Sequence, residues 1–256
     1  MLPVLTIGAL SIKTYPFMYS LAILVGGGLA LWRLRNFTEN PRELWNGVLL
    51  SLAALLVGLF LPAVLESRLR SLINGEPPGP VAIRVYYGLG TSLLVAYGYT
   101  RFRRLPFWGT IDRTIPAFAL GYSIARLGCL AAGCCGGRET DAAWALYLPD
   151  EHGIWAMRYP TQILSCAFQF LLFTGLSMGK PPTGLHLPAW LKMEGTISLL
   201  YILLFCLERF TLEFLRADLR PIWGPFSLPH ILMLIAIVAV LVLFHQRTYQ
   251  ASTIQR

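Results

Sequence analysis

Seven apolar runs, each near the length of a bilayer crossing, constrain this chain more than any other feature. A transmembrane helix needs about 20 mainly apolar residues. Runs meeting or approaching that length lie at about 15–32, 47–65, 85–100, 114–132, 161–178, 196–215 and 229–245. The third is Tyr- and Gly-rich and the weakest of the set. Only 13% of the residues are charged and 55% are hydrophobic, where a soluble domain carries about a quarter charged residues. The expected fold is therefore an all-α integral membrane protein of about seven transmembrane helices, a single polytopic domain over residues 1–256.

The polar connections refine this picture. "RLRNFTENPREL" follows the first run and "TRFRR" the third, and the tail "HQRTYQASTIQR" is also basic. These clusters favour a cytoplasmic C-terminus and an outside N-terminus, although Arg68, Arg70, Arg216 and Arg220 fall on the opposite side. The net charge of +8 sits in short clusters between apolar runs, which points to anionic lipid headgroups rather than nucleic acid. The first run continues into "RLR" without a small-residue cleavage site, and is read as a retained span. "INGEPPGP" is a turn-rich break. Residues 136–160 form the longest polar insertion and are expected to build a small extracytoplasmic cap.

Within the runs, the ionisable residues carry the chemistry. Arginine at the centre of a bilayer costs about 2.5–3.5 kcal/mol on insertion scales. Arg126 stands a dozen residues into the fourth run, in "ARLGCLAAGCCGGR". It either snorkels to the interface or contacts an anion, and the anion contact is the preferred reading. Arg209, Glu213 and Arg216 share one helix face at spacings of four and three residues. They form either an end-of-span ion-pair network or an arginine pair oriented by a carboxylate, suited to bidentate contact with phosphate. Glu208 adjoins Arg209 in sequence but lies off its face.

Gly128, Gly133, Gly136 and Gly137 permit a broken helix, tolerated at membrane depth beside protein or a water-filled cavity. The chain has five cysteines, so complete intramolecular pairing is impossible. Cys129, Cys134 and Cys135 admit packing, a reactive thiol or disulfide, or a metal. The metal is least favoured, because adjacent cysteines do not form a C-x₂-C knuckle, and no metal or cofactor is expected. Tyr15 and Tyr87 flank spans, as interfacial anchors or as site residues.

Taken in order along the chain, five of these stretches resemble the bacterial prolipoprotein diacylglyceryl transferase family. "ARLGCLAAGCCGGR" is similar to its signature G-R-x-G-N-F-x-N-G-E-x-x-G. "IGALSIKTYPFMYSLAILVG" is similar to its opening, "VYYGLG" stands at its F-H-G-G, and "RYPTQILS" at its H-P-S-Q-L-Y-E. "ERFTLEFLRAD" is similar to its F-R-x-x-x-E-F-x-R-x-P-D stretch. The resemblance implies a seven-span enzyme of the inner (cytoplasmic) membrane. Such an enzyme moves diacylglyceryl from phosphatidylglycerol to the lipobox cysteine of a prolipoprotein signal peptide and releases glycerol phosphate. By residue, it implies catalytic roles for Arg126, Arg209, Tyr87 and Tyr15. It implies substrate contacts for Gly128, Gly133, Cys129, Cys134, Gln162, Glu213 and Arg216.

The departures are specific. The family's histidine is Tyr87 here, its signature asparagine is Cys129, its signature glutamate is Cys134, and the histidine of its H-P segment is Tyr159. Tyrosine, with an unperturbed pKa near 10, is a poorer base than histidine at neutral pH. Three readings follow: a base elsewhere, thiol activation by the cations alone, or a different acceptor. A non-catalytic phospholipid-binding protein of the same fold is a further alternative.

Overall fold

The computed structural model describes residues 4–7, 10–35, 37, 41–75, 85–150, 152–177, 193–217 and 221–254. Seven helices are described: α1 (Thr14–Leu34), α2 (Pro41–Asn74), α3 (Val85–Phe102), α4 (Phe107–Ala132), α5 (Thr161–Ser177), α6 (Thr196–Glu213) and α7 (Leu228–Ile254). They match the seven expected runs. Four are long and apolar enough to cross a membrane by length and composition: Thr14–Leu34, Pro41–Ile73, Phe107–Ala132 and Leu228–Tyr249. At 17 residues, α5 is shorter, and α6 carries Glu208, Arg209 and Glu213 within its 18 residues.

The sequence pattern assigns no strands, and the structure adds three antiparallel two-stranded hairpins. They are β1 (Val4–Ile7) with β2 (Leu10–Lys13), β3 (Leu146–Pro149) with β4 (Trp155–Arg158), and β5 (Pro221–Trp223) with β6 (Phe226–Ser227). Strands this short carry no alternating apolar pattern long enough to read.

The chain divides into two compact units, Ala30–Thr110 and the remainder, Met1–Leu29 with Ile111–Arg256. In the smaller unit, α2 and α3 pack where Gly58 meets Gly88, and Thr91 Oγ1 donates to the carbonyl of Ala54 at 2.9 Å. At its other end, Glu43 accepts from Arg103 Nε and from the Tyr99 hydroxyl, each at 2.8 Å.

The larger unit is polar inside. Its buried side chains include Ser123, Arg126, Gln162, Ser165, Gln169, Ser198, Glu208 and Glu213, while Leu171 and Ile235 are exposed. Lipid supplies no hydrogen bonds, so polar groups turn inward and meet across helices. The Tyr201 hydroxyl of α6 donates to Gln169 Oε1 of α5 at 2.8 Å. Ser123 of α4 donates to the Cys166 carbonyl of α5 at 3.0 Å. Small residues let α1 and α4 approach: a Cβ at Gly128 would lie 2.8 Å from Cβ of Met18.

Asp112 of α4 fastens α6. Its carboxylate accepts the amides of Gly195 at 2.6 Å and Ser198 at 2.8 Å, and also the Ser198 hydroxyl. The first turn of a helix exposes orphan N–H groups and the positive end of its dipole. Here a carboxylate from a neighbouring helix satisfies them in place of a local cap.

Candidate functional site

The site assembles in the larger unit, where the end of α4 meets the end of α6. The sequence of α4 places Tyr122, Arg126 and Cys129 on successive turns of one face. Arg126 is buried and donates through Nη2 to the Tyr122 hydroxyl. Its guanidinium carbon lies 4.8 Å from the Tyr122 ring centroid, a cation–π contact. Its Nε is buried and has no hydrogen-bond partner among the described residues. A buried N–H of a permanently charged group left in this state is costly, and it is a donor available to an anion.

From α6 come the other cations. Glu213 Oε2 accepts from Arg209 Nη2 at 3.2 Å and pairs with Arg216 Nε at 3.7 Å. The three side chains are 11%, 7% and 11% exposed in the order Arg209, Glu213, Arg216. One carboxylate therefore orients two guanidiniums, as the helical spacing predicts.

The loop after α4 joins these two groups. Gly133 N donates to Leu130 O at 3.2 Å and Cys134 N to Cys129 O at 3.2 Å, the paired bonds of a Schellman C-cap. Gly133 adopts φ +74, and a Cβ there would lie 2.6 Å from the Asp150 carbonyl. Glycine is required on both counts. The chain then runs alongside the end of α6: Arg138 N donates to Leu215 O at 2.8 Å and Ala217 N to Gly136 O at 3.0 Å. Gln162 and Thr161, at the start of α5, donate to the carbonyls of Cys134 and Cys135, each at 3.1 Å. Gln162 thus supports the loop from below.

This pairing sets the loop after α4 beside the end of α6. Glu208 is buried on α6. Glu208 Oε2 accepts from Gln169 Nε2 at 3.4 Å, and its Oε1 has no hydrogen-bond partner among the described residues.

The remaining candidates take distinct places. Tyr15 of α1 packs on Tyr19, ring centroids 4.6 Å apart, and its carbonyl oxygen lies 3.8 Å from the place of a Cβ on Gly128. Gly128 lets α1 approach α4. Cys129 is buried, and Cys134 and Cys135 are partly buried. Tyr87 belongs to the smaller unit, on α3, with its side chain exposed.

Two residues of the site region, Tyr122 and Glu208, escape the sequence reading, as does Asp112 at the opposite end of α4. Tyr122 is one turn before Arg126, and that spacing was a usable signal. Glu208 was visible only as a neighbour of Arg209, off its face. Asp112, which fixes the start of α6, gives no signal at all. A buried histidine, His230 on α7, packs its ring against Phe214 at the end of α6. Its Nδ1 accepts the Ser227 amide at 3.1 Å, and Phe210, Phe214 and Phe226 enclose it. The Ser227 amide occupies the Nδ1 lone pair, so neutral His230 carries its proton on Nε2.

Next to the site, residues 138–140 pair with residues 157–159 at the end of hairpin β3–β4. Asp150 accepts the amides of His152 and Ile154, each at 2.9 Å. Buried Arg158 reaches Glu139 at 2.9 Å and Asp150 at 3.3 Å. The backbone N–H of Ile154, joined by that of His152 and by the charge of Arg158, holds the Asp150 carboxyl below its ordinary range.

Residues 3–246 match the sequence profile of a family described as prolipoprotein diacylglyceryl transferase. A Clostridium perfringens protein named phosphatidylglycerol–prolipoprotein diacylglyceryl transferase 2 is 28% identical, over 92% of this chain and 91% of its own length. Two further proteins named phosphatidylglycerol–prolipoprotein diacylglyceryl transferase are similar as well. The Synechocystis protein is 26% identical, over 83% of this chain and 77% of its own. The Parasynechococcus marenigrum protein is 29% identical, over 82% and 78%.

Proposed function

Because the chain belongs to the prolipoprotein diacylglyceryl transferase family, we propose that it transfers diacylglyceryl from phosphatidylglycerol to the lipobox cysteine thiol of a prolipoprotein. The thiolate forms a C–S bond to the terminal glycerol carbon of the diacylglyceryl group. The C–O bond from that carbon to phosphate breaks, glycerol phosphate leaves with the electron pair, and the thiol proton passes to solvent.

The observation that carries this reading is the buried Nε of Arg126, which has no hydrogen-bond partner among the described residues. On α6, Glu213 orients Arg209 and Arg216 as further guanidiniums. A phosphodiester supplies a single negative charge and acceptor oxygens. As the C–O bond breaks, charge builds on the leaving phosphate, where preorganised cations in a dry site act most strongly. Tyr15 lies against Gly128 of α4, where an incoming peptide cysteine would reach the same carbon. Tyr87 stands at the family's histidine position, and its contribution is tested separately with Tyr87→Phe.

The accompanying topology is a bacterial inner-membrane protein with its N-terminus outside and its C-terminus in the cytoplasm. Residues 136–160 then form a cap on the outer face, the side from which a signal peptide arrives.

The deciding experiment is rescue of a bacterium depleted of its own transferase. The unmutated chain restores lipoprotein modification, while Arg126→Ala and Arg209→Ala abolish it at unchanged protein levels. No rescue by a well-inserted unmutated chain would reject the proposal. A second reading, the same donor with another acceptor, is favoured by Cys129 and Cys134 at the family's asparagine and glutamate positions. It predicts phosphatidylglycerol consumed and glycerol phosphate released without a lipidated prolipoprotein.

A further inference from the structure

We infer that Cys129, Cys134 and Cys135 form a three-thiolate binding site for a soft, thiophilic metal ion of the copper(I) type. The sequence argues against a metal because adjacent cysteines do not make a knuckle. Folding changes the geometry that spacing conceals. The three Sγ atoms all lie within 4.8 Å of one another. A trigonal thiolate set with metal–sulfur bonds of about 2.3 Å places its sulfurs about 4.0 Å apart, so a small contraction closes it. All three cysteines are free thiols.

Two features of the loop hold them in this arrangement. Neighbouring side chains on an extended backbone point to opposite sides. Cys135 instead adopts φ +60, a left-handed conformation uncommon outside glycine, which brings its thiol to the side of Cys134. The Schellman bond from Cys134 N to Cys129 O folds the pair back over the last turn of α4. Gln162 and Thr161 then lock both loop carbonyls from α5.

The ligand chemistry selects the ion. Thiolates prefer soft metals. Zinc in structural sites takes four ligands, and among the described residues no histidine, aspartate or glutamate joins the three cysteines. Binding displaces the thiol protons as the metal–sulfur bonds form, and no electron transfer is involved. The inference does not rest on the transferase reading, and its test reads metal rather than turnover.

The full-length protein in detergent, reduced and kept anaerobic, is titrated with copper(I) against a chromogenic copper(I) chelator. The expected result is one ion withdrawn per chain, with Cys129, Cys134 and Cys135 becoming unreactive to a thiol reagent while Cys166 and Cys206 keep their reactivity. Each of Cys129→Ser, Cys134→Ser and Cys135→Ser weakens retention by more than about tenfold. The Cys166→Ser/Cys206→Ser double variant retains it. Metal retention by the triple serine variant overturns the inference, as does a preference for zinc over copper(I). So does a disulfide within the trio under these conditions. If the triple variant fails to fold, thiol protection in the unmutated chain decides.

Discussion

Arg126 shows how one residue type limits what its surroundings can be. A guanidinium stays charged under all relevant conditions, so at membrane depth it needs a partner. Tyr122 supplies a ring face and a hydroxyl, yet Nε is left over. Tyr122→Phe keeps the ring and removes the acceptor. Hydrogen bonds to charged groups contribute about 1.5–3 kcal/mol, so kcat/KM for diacylglyceryl transfer should fall about tenfold or more at unchanged protein level. Unchanged kinetics would show that the hydroxyl does not orient Arg126. At this scale the sequence was most informative, because arginine in an apolar run is costly enough to stand out. The Arg209–Glu213–Arg216 stripe was legible for the same reason, helped by helical spacing. Glu208 was not, because whether a carboxylate off that face is buried depends on which helix packs there.

At the scale of elements, helix ends decide where the site residues sit. Asp112 satisfies two amides at the start of α6 from 83 and 86 residues away. Asp112→Ala leaves those donors without their acceptor, at a cost of about 1–3 kcal/mol. Thermal unfolding in detergent should register the loss, and Asp112→Asn should recover part of it. No difference between Asp112→Ala and the unmutated chain would mean that water replaces the carboxylate.

Hairpin β3–β4 makes a pH prediction. The Asp150 carboxyl is held below its ordinary range in the folded chain, so its contribution is complete above the unfolded value of about 3.9. It is lost as pH falls through the lower folded value. Hydrogen exchange at the Ile154 and His152 amides should accelerate only on acidification below about pH 4. In Asp150→Ala it should be fast throughout, and protection unaffected by that substitution would refute the role of the carboxylate. The Asx-type turn that Asp150 builds was not legible, since the sequence there reads only as a polar insertion.

For the molecule as a whole, the distribution of polarity departs from that of a soluble protein. The described interior of the larger unit holds serines, glutamines, glutamates and an arginine beside Leu199, Leu212 and Met233, while many leucines and isoleucines are exposed. Composition already required this environment, because seven apolar runs cannot all be buried in 256 residues. The proposed topology is tested with an impermeant thiol reagent on intact spheroplasts. Cysteine introduced by Asp141→Cys, in the cap, should react from outside, and Cys at Arg101→Cys should react only after lysis. The reverse pattern would invert the orientation.

The number of helices, their approximate bounds, the membrane environment and the identity of the arginines were all determined by the sequence itself. Each follows from local quantities: the length of an apolar run, the cost of a charge within it, and the 3.6-residue period of a helix. What only the tertiary structure decided is which groups share a point in space. The loop after α4 pairs with the end of α6 and gathers three thiols that spacing alone would keep apart. Convergence depends on packing between segments distant in the chain, and no local pattern encodes it.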